Sequence, residues 1–323
     1  MRLVSFAAAG IATGAGRAVG ALVEGQVLAL GRAVVLLGRP EREAARLATL
    51  ETMLESWHEN LALARDVLAE GATPAGAKAT ALARRPLDQL AVLPPVAHPP
   101  TVRDAYAFEA HVRNARARRG LDVPPEWYDE PVYYYSNPGS LRGHRQPVAK
   151  PAWTDALDYE LELAWVIGTR VKDVRPDDWR AVVAGFTILN DWSARDAQRR
   201  EMAVGLGPAK GKDFATSLGP SLVTLDELDG TWERHRPALA MEATVNGRRL
   251  SRGNARDMHY TVGEIVARAS RDVYLLPGDV FGSGTVGTGC LLELGPDVHR
   301  WLQPGDEVTL TIERLGALTN PIV

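Results

Sequence analysis

Glu160 and Glu162 stand two residues apart in an apolar run formed by Leu157, Leu161, Leu163, Ala164, Trp165, Val166 and Ile167. In a strand, residues i and i+2 point to one face, so both carboxylates would aim at the same spot. Buried anions are costly to desolvate and repel one another. A third carboxylate, Asp191, follows a second apolar run from Val182 to Leu189. A hard divalent cation, Mg2+ first and Ca2+ or Mn2+ as alternatives, held by several carboxylate oxygens would account for the group. Taken alone, the pair reads as readily as the solvent face of a half-exposed strand whose Tyr159, Leu161 and Leu163 point inward.

Three further groups carry chemistry. Asp104 and His111 flank Tyr106 in Arg103-Asp104-Ala105-Tyr106-Ala107-Phe108-Glu109-Ala110-His111, on what reads as a short helix. A histidine beside a divalent metal suits a general base, although a lone helix histidine is more often simply exposed. Gly205-Leu206-Gly207-Pro208-Ala209-Lys210-Gly211-Lys212-Asp213-Phe214 is not a phosphate-binding loop. Leu206 stands where its first glycine belongs, and Asp213 replaces the Ser or Thr. The turn can still present Lys212 to an oxyanion. Finally, Val280 to Leu294 is glycine-rich and ends in Cys290-Leu291-Leu292-Glu293-Leu294, read as a short apolar strand. A carboxylate buried there would need a partner, and a histidine would suffice.

The elements that must position these groups read as follows. Residues 1–37 suggest short strands, with Val19–Val23 and Gln26–Leu30 paired around Gly25. Met1 to Leu22 is small and apolar like a signal peptide, but Arg17 interrupts it. Gly14-x-Gly16-x-x-x-Gly20 only loosely resembles a dinucleotide fingerprint and has the wrong spacing. Residues 40–70 carry a helical apolar period through Ala44, Leu47, Leu50, Leu54, Trp57, Leu61, Leu63, Val67 and Leu68, so one long helix is expected, ended by Gly71 and Pro74. The proline-rich stretch from Leu93 to Pro100 reads as a linker between a small N-terminal domain, residues 1–95, and a main domain, residues 96–323. Val112 to Asp129 reads as a mobile surface loop. Beyond Val132 short β-like runs alternate with turns: Glu160–Ile167, Ser221–Val223, Ala238–Val245, Val273–Leu276, Cys290–Leu294 and Glu307–Ile312. Asn246-Gly247 marks a hairpin and Val262–Ala269 a helix. The fold class is α+β and β-rich.

With 46% hydrophobic residues the chain of 323 residues can bury a large core. A net charge of -3 offers no basic field for nucleic acid. The single cysteine, Cys290, excludes an intrachain disulfide framework and fits a reducing, cytoplasmic setting. No apolar run reaches the roughly 20 residues that span a bilayer, so no membrane partner is expected.

In this order, Asp104…His111, Glu160-Leu-Glu162, Asn-Asp191-Trp-Ser-Ala-Arg195-Asp-x-Gln198, Gly-Lys212-x-Phe and Gly-Ser-Gly-Thr285…Leu-Leu-Glu293-Leu resemble the fumarylacetoacetate hydrolase family, from about residue 100 to the C-terminus. Pro304-Gly305-Asp306-Glu307-Val308 and Gly316-Ala317-Leu318-Thr319-Asn320 resemble its final strands. The resemblance implies a mixed β-sandwich roll with a small N-terminal α/β domain, a homodimer and a role in aromatic catabolism. It implies metal ligation by Asp104, Glu160, Glu162 and Asp191, and catalysis by His111, Glu293 and Lys212. It also implies substrate binding by Tyr106, Arg195, Gln198 and Thr285. The expected partner is a small keto acid. The expected reaction is metal-dependent hydrolysis of a carbon–carbon bond in a β-diketo acid by histidine-activated water. Decarboxylation, isomerisation or hydration of 2-keto acids on the same site is the alternative. Two departures concern the substrate. The smaller acylpyruvate-hydrolysing members carry a glutamate three residues after the histidine, where this chain has Asn114. The family's lid arginine has no unique counterpart among Arg113, Arg116, Arg118 and Arg119, nor its tyrosine among Tyr133, Tyr134 and Tyr135.

Overall fold

The computed structural model describes residues 1–7, 16–118 and 120–323; Gly14 of the glycine motif and Arg119 lie outside the described residues. Its centre is a twelve-stranded sheet. Ten strands run side by side in the order Arg84–Pro86, Gln26–Ala29, Arg17–Val23, Arg2–Ala7, Thr216–Val223, Val183–Asp191, Leu161–Ile167, Val280–Gly282, Val102–Ala105 and Tyr133–Ser136. A second sheet of four strands, Arg248–Asn254, Ala240–Val245, Glu307–Ile312 and Gly316–Pro321, covers one face of the first. The N-terminal helices cover the other face. The result is mixed α+β and strand-rich, as the sequence suggests.

The central strand explains the layering. Every residue of Leu161–Ile167 is buried, so it reads as a continuous apolar run rather than an alternating one. Leu161, Leu163, Trp165 and Ile167 enter the core shared with the small sheet. Ala164 and Val166 enter the core shared with Leu28, Leu50, Met53 and Trp57. A half-exposed strand is therefore not what forms, and the Glu160/Glu162 pair cannot be its solvent face.

The strand pair around Gly25 forms, with Glu24 and Gly25 both at positive φ (50° and 78°), the geometry of a tight hairpin turn. The hydrogen bonds of the large sheet cross the expected 1–95/96–323 division, through the pairing of Arg2–Ala7 with Thr216–Val223. Leu93 to Pro100 is packed along this junction: Leu93 N–H donates to Ser5 O, and Val96 is buried. No helix among the described residues is long and apolar enough to cross a membrane.

Four local expectations are corrected. The long helix over 40–70 is three helices, Glu41–Arg46, Leu50–Leu54 and Trp57–Ala72. The first ends at Arg46 with Leu47 already off the helical conformation, Thr49 starts the second through a reciprocal cap with Thr52, and Ser56 is non-helical before the third. The apolar period runs on because all three rest on one core. Val112 to Asp129 is not a loop throughout: the helix Glu109–Ala117 carries its first part, anchored by buried Val112 and Ala115. Val273–Leu276 is no strand; only Leu275 bridges, to Val171. Cys290–Leu294 is likewise no strand. Leu291–Leu294 forms a short helix because the Asp158 carboxylate accepts the Leu291 and Leu292 N–H groups at 2.8 and 3.0 Å.

The small sheet is pinned at one end by Asp306, which is buried. It accepts from both Arg300 terminal nitrogens (2.6 and 3.0 Å), Gln303 N–H (2.8 Å) and the Asn246 amide (2.8 Å). The Asn246 amide oxygen in turn accepts from Glu307 N–H, which ties the hairpin turn to the Glu307–Ile312 strand. Burial alone would raise the Asp306 pKa; these donors and the Arg300 charge outweigh it and lower it to about 2. Because the folded pKa lies below the unfolded value of about 3.9, the stabilisation is full above roughly pH 4 and is lost as pH falls towards 2. Asp306→Asn should therefore cost roughly 1–3 kcal/mol at pH 7, by urea titration. The gap to the native protein should close progressively below pH 4.

Candidate active site

Strand register builds the acidic end of the site. Asp104 pairs with Gly282 on one side and Tyr134 on the other, and Gly282 pairs with Ala164. Directly opposed residues share a sheet face. Asp104, Tyr134 and Glu162, two before Ala164, therefore lie on one face at one end of the strands. Asp191 joins them, two beyond Leu189, which is the partner of Glu162. Glu160 stands just before the Leu161–Ile167 strand, where its N–H donates to the Asn190 side-chain oxygen at 2.9 Å. Ligand oxygens of Asp104, Glu160 and Glu162 come within 4.8 Å of one another. Gly282 leaves the room. A Cβ there would meet Asp104 Oδ1 at 2.4 Å and Glu162 Oε2 at 2.7 Å. Gly284 N–H donates to the same two oxygens, each at 3.1 Å, and the Thr285 hydroxyl lies 3.4 Å from Glu162 Oε1.

Two cations enter this cage. Lys212 Nζ lies 2.5 Å from Glu160 Oε2 and 2.6 Å from Asp191 Oδ2. Arg195, the first residue of the helix Arg195–Val204, donates to Asp158 Oδ2 (2.8 Å), Glu160 Oε1 (2.7 Å) and Gln198 Oε1 (3.0 Å). The Tyr134 hydroxyl donates to Asp191 Oδ2 at 2.5 Å, while Asp191 Oδ1 is buried without a hydrogen-bond partner among the described residues. Burial opposes ionisation of Glu160, but the charges of Lys212 and Arg195 override it and hold its pKa low. Burial also opposes the charge on Lys212, and Asp191 and Glu160 override that, so it stays an ammonium. Asp104 and Glu162 go the other way. Burial raises both, reinforced by the Asp191 charge on Asp104 and by the Asp104 charge on Glu162. Two carboxylates this close do not ionise together unless a cation stands between them.

The donor set fits a divalent cation. Among the described residues, five buried carboxylates, Asp104, Asp158, Glu160, Glu162 and Asp191, face two buried cations, Lys212 and Arg195. Such a surplus requires protons or a metal. The oxygen-only ligands and the gap kept open by Gly282 suit a hard ion of the Mg2+ or Ca2+ kind. Asp104, Glu160 and Glu162 form the tight group; Asp191 is outside it and is tied to Lys212 and Tyr134 instead.

A second unit lies on the helix Glu109–Ala117. His111 Nδ1 sits 2.6 Å from Glu293 Oε1, with both side chains buried. The other carboxylate oxygen accepts from the Asn114 amide and the Thr288 N–H, each at 2.9 Å. Burial raises the Glu293 pKa, but the His111 contact and these donors outweigh it, so the carboxylate stays ionised. An ionised Glu293 can only accept, so His111 Nδ1 carries the proton and Nε2 is left as the basic nitrogen. Arg118 fastens the two elements by donating to the Glu293 and Leu294 carbonyls.

Both units open on one cavity of about 670 Å³. Of the residues singled out in the sequence, Asp104, Tyr106, His111, Glu160, Glu162, Arg195, Gln198, Lys212 and Thr285 line it. Asp191 and Glu293 stand behind the lining, touching Lys212 and His111. Tyr133 and Tyr134 reach the cavity. Tyr135 does not line it; it lies beside Arg103 and packs edge-on against Tyr133. Of the candidate lid arginines, Arg116 and Arg118 line the cavity, whereas Arg113 is on the surface with Glu109. Sequence reasoning passed over Asp158 and Asn114 as working parts, left Tyr134 open among three tyrosines, and took Gly282 only as one glycine of a glycine-rich run. Asp158 had a signal, its two-residue spacing from Glu160; the others depend on register or helix docking. Gly282→Ala should leave the fold intact, because the atoms it displaces are the carboxylate ends of two side chains rather than backbone. It should weaken Mg2+ binding about 10–100-fold, read by calorimetry.

A family profile described as fumarylacetoacetate (FAA) hydrolase C-terminal matches residues 100–323. A mitochondrial oxaloacetate tautomerase of Xenopus laevis is 36% identical over 197 residues, 60% of this chain and 58% of that protein. The chain thus spans less than two thirds of that relative's length. A mitochondrial oxaloacetate tautomerase of Rattus norvegicus is 34% identical over 244 residues, 74% of this chain and 71% of that one. Among solved structures, a 5-carboxymethyl-2-hydroxymuconate delta-isomerase from Mycobacterium smegmatis superposes with a TM-score of 0.66 at 25% identity, over 100% of this chain and 99% of that one. On the profile match and these likenesses, the chain belongs to the fumarylacetoacetate hydrolase family.

Proposed function

We propose that this protein is a divalent-metal-dependent enzyme that moves a proton on the carbon beside the keto group of a small 2-keto acid, as in keto–enol tautomerisation of an oxaloacetate-like substrate. The observation that carries this reading is the His111–Glu293 pair. Glu293 fixes the ring by its Nδ1 proton and leaves Nε2 basic in the cavity that the carboxylate cage also lines. The oxaloacetate tautomerases among the relatives support the substrate class.

Asp104, Glu160 and Glu162 would hold the cation, which when bound polarises the keto oxygen and offsets the negative charge that develops there. His111 Nε2 takes the proton from the substrate carbon, and the imidazolium so formed then delivers it to the enolate oxygen to give the enol; ketonisation runs the same two transfers in reverse. Ionised Glu293 stabilises the imidazolium formed in between. Lys212 donates two of its three N–H bonds to Glu160 and Asp191, and its third is directed to the substrate oxygen. Arg195 keeps Glu160 ionised and oriented.

The second reading is hydrolysis of a carbon–carbon bond in a β-diketo acid, with His111 Nε2 deprotonating water instead of carbon. The cavity favours it, since about 670 Å³ exceeds what a four-carbon acid fills. The homodimer expected from the sequence is kept as part of this proposal and is supported by family membership alone.

In Mg2+ or Mn2+, the decay of enol-oxaloacetate absorbance and the cleavage of acetylpyruvate separate the readings. The first should be accelerated more strongly than the second. His111→Ala should lower the rate about 100–10,000-fold, and Glu293→Gln by a smaller factor, while calorimetric Mg2+ affinity stays within about threefold of native. Full activity in His111→Ala would sink the role given to it.

A further inference from the structure

The helix Arg195–Val204 forms one wall of the cavity through Arg195, Gln198, Arg199 and Met202. These positions share one helical face. Arg195 faces the carboxylate cage, and Arg199 follows about 6 Å further along the axis. The cationic residues of the cavity differ in what they hold. Arg195 and Lys212 are committed to the cage. Arg116 donates to the Asp122 carbonyl, and Arg118 to the Glu293 and Leu294 carbonyls. Among the described cavity residues, Arg199 is the cation with no hydrogen bond or ion pair to the protein. Arg199 and Met202 are exposed, so this end of the helix forms the mouth of the cavity, where a charged group of a bound acid can reach the guanidinium.

We propose that Arg199 is the specificity-determining residue for a second, distal carboxylate, so that the substrate is a 2-keto dicarboxylic acid rather than a monocarboxylic one. This rests on the 2-keto acid reading above. The keto-acid end lies against the cage and His111, and the remainder of the acid runs along the helix. The distal carboxylate meets the planar guanidinium, whose paired N–H groups match it in bidentate fashion. Gln198, between the two arginines on this face, is neutral and is held through its Oε1 by Arg195, so the charged partner for a second anion on this face is Arg199.

The test is calorimetry on the Mg2+-loaded protein. The ligands are 2-keto diacids of four, five and six carbons, each compared with the methyl ester of its distal carboxylate. At one chain length or more the native protein should bind the diacid at least about tenfold more tightly than the ester. Arg199→Gln should abolish that preference while changing ester affinity by less than about twofold, and Arg199→Lys should restore part of it. Equal affinity for diacid and ester at every length, or a preference that survives Arg199→Gln, would overturn the assignment. Failure of the functional reading shows separately, as native protein that does not accelerate enol-oxaloacetate decay. The diacid-to-ester ratio still decides the role of Arg199 in that case.

Discussion

Negative charge buried in excess at the end of a sheet is the constraint on which the rest of this structure depends. Five carboxylates converge where the Leu161–Ile167 and Val183–Asp191 strands meet the neighbouring strand ends, and among the described residues Lys212 and Arg195 are the cations that answer them. Neither cation is optional. Removing one partner of a buried, hydrogen-bonded pair leaves the other charge desolvated and alone. The helix that begins at Arg195 and the turn that delivers Lys212 are thus held by the same electrostatics that keep Glu160 ionised. The remaining charge, concentrated on Asp104 and Glu162, is the part that a divalent cation would balance.

The two chemical units are built on different elements and share a cavity. The cage is built on strands, whose register fixes oxygens to within a fraction of a residue spacing. The His111–Glu293 pair is built between two helices, Glu109–Ala117 and Leu291–Leu294, clipped together by Arg118 and Asn114. Asp158 ties the units to each other. One carboxylate receives Arg195 from the cage side and caps the helix carrying Glu293 on the other. A shift in either unit is therefore transmitted through a buried ion pair rather than through a loop.

Much of the site was legible because its residue types are improbable where they stand. Acids inside an apolar run, a lysine in a glycine turn and a histidine on a short helix each point to chemistry, and their order pointed to the family. The fold class followed from the alternation of short apolar runs with turns. Errors arose where a local pattern was shared by two structures. The apolar period over 40–70 is the same for one helix and for three helices resting on one core, and only the caps at Thr49 and Ser56 separate them. Leu291–Leu294 has the composition of a strand, but four residues cannot oppose the two N–H bonds that Asp158 accepts from them.

By itself the sequence determined the chemical types of the candidate site residues, the pairing of Glu160 with Glu162 through the two-residue period of a strand, and the family. It could not determine whether that face was wet or dry, because burial on both sides requires the N-terminal helices and the small sheet to be in place. Nor could it choose among Tyr133, Tyr134 and Tyr135. Neighbours in sequence alternate between faces, and the face is decided by register against Val102–Ala105. Tertiary structure also separated Asp191 from the tight ligand group and set Glu293 against His111, 182 positions away. Those contacts join segments far apart in the chain, and packing rather than local propensity brings such segments together.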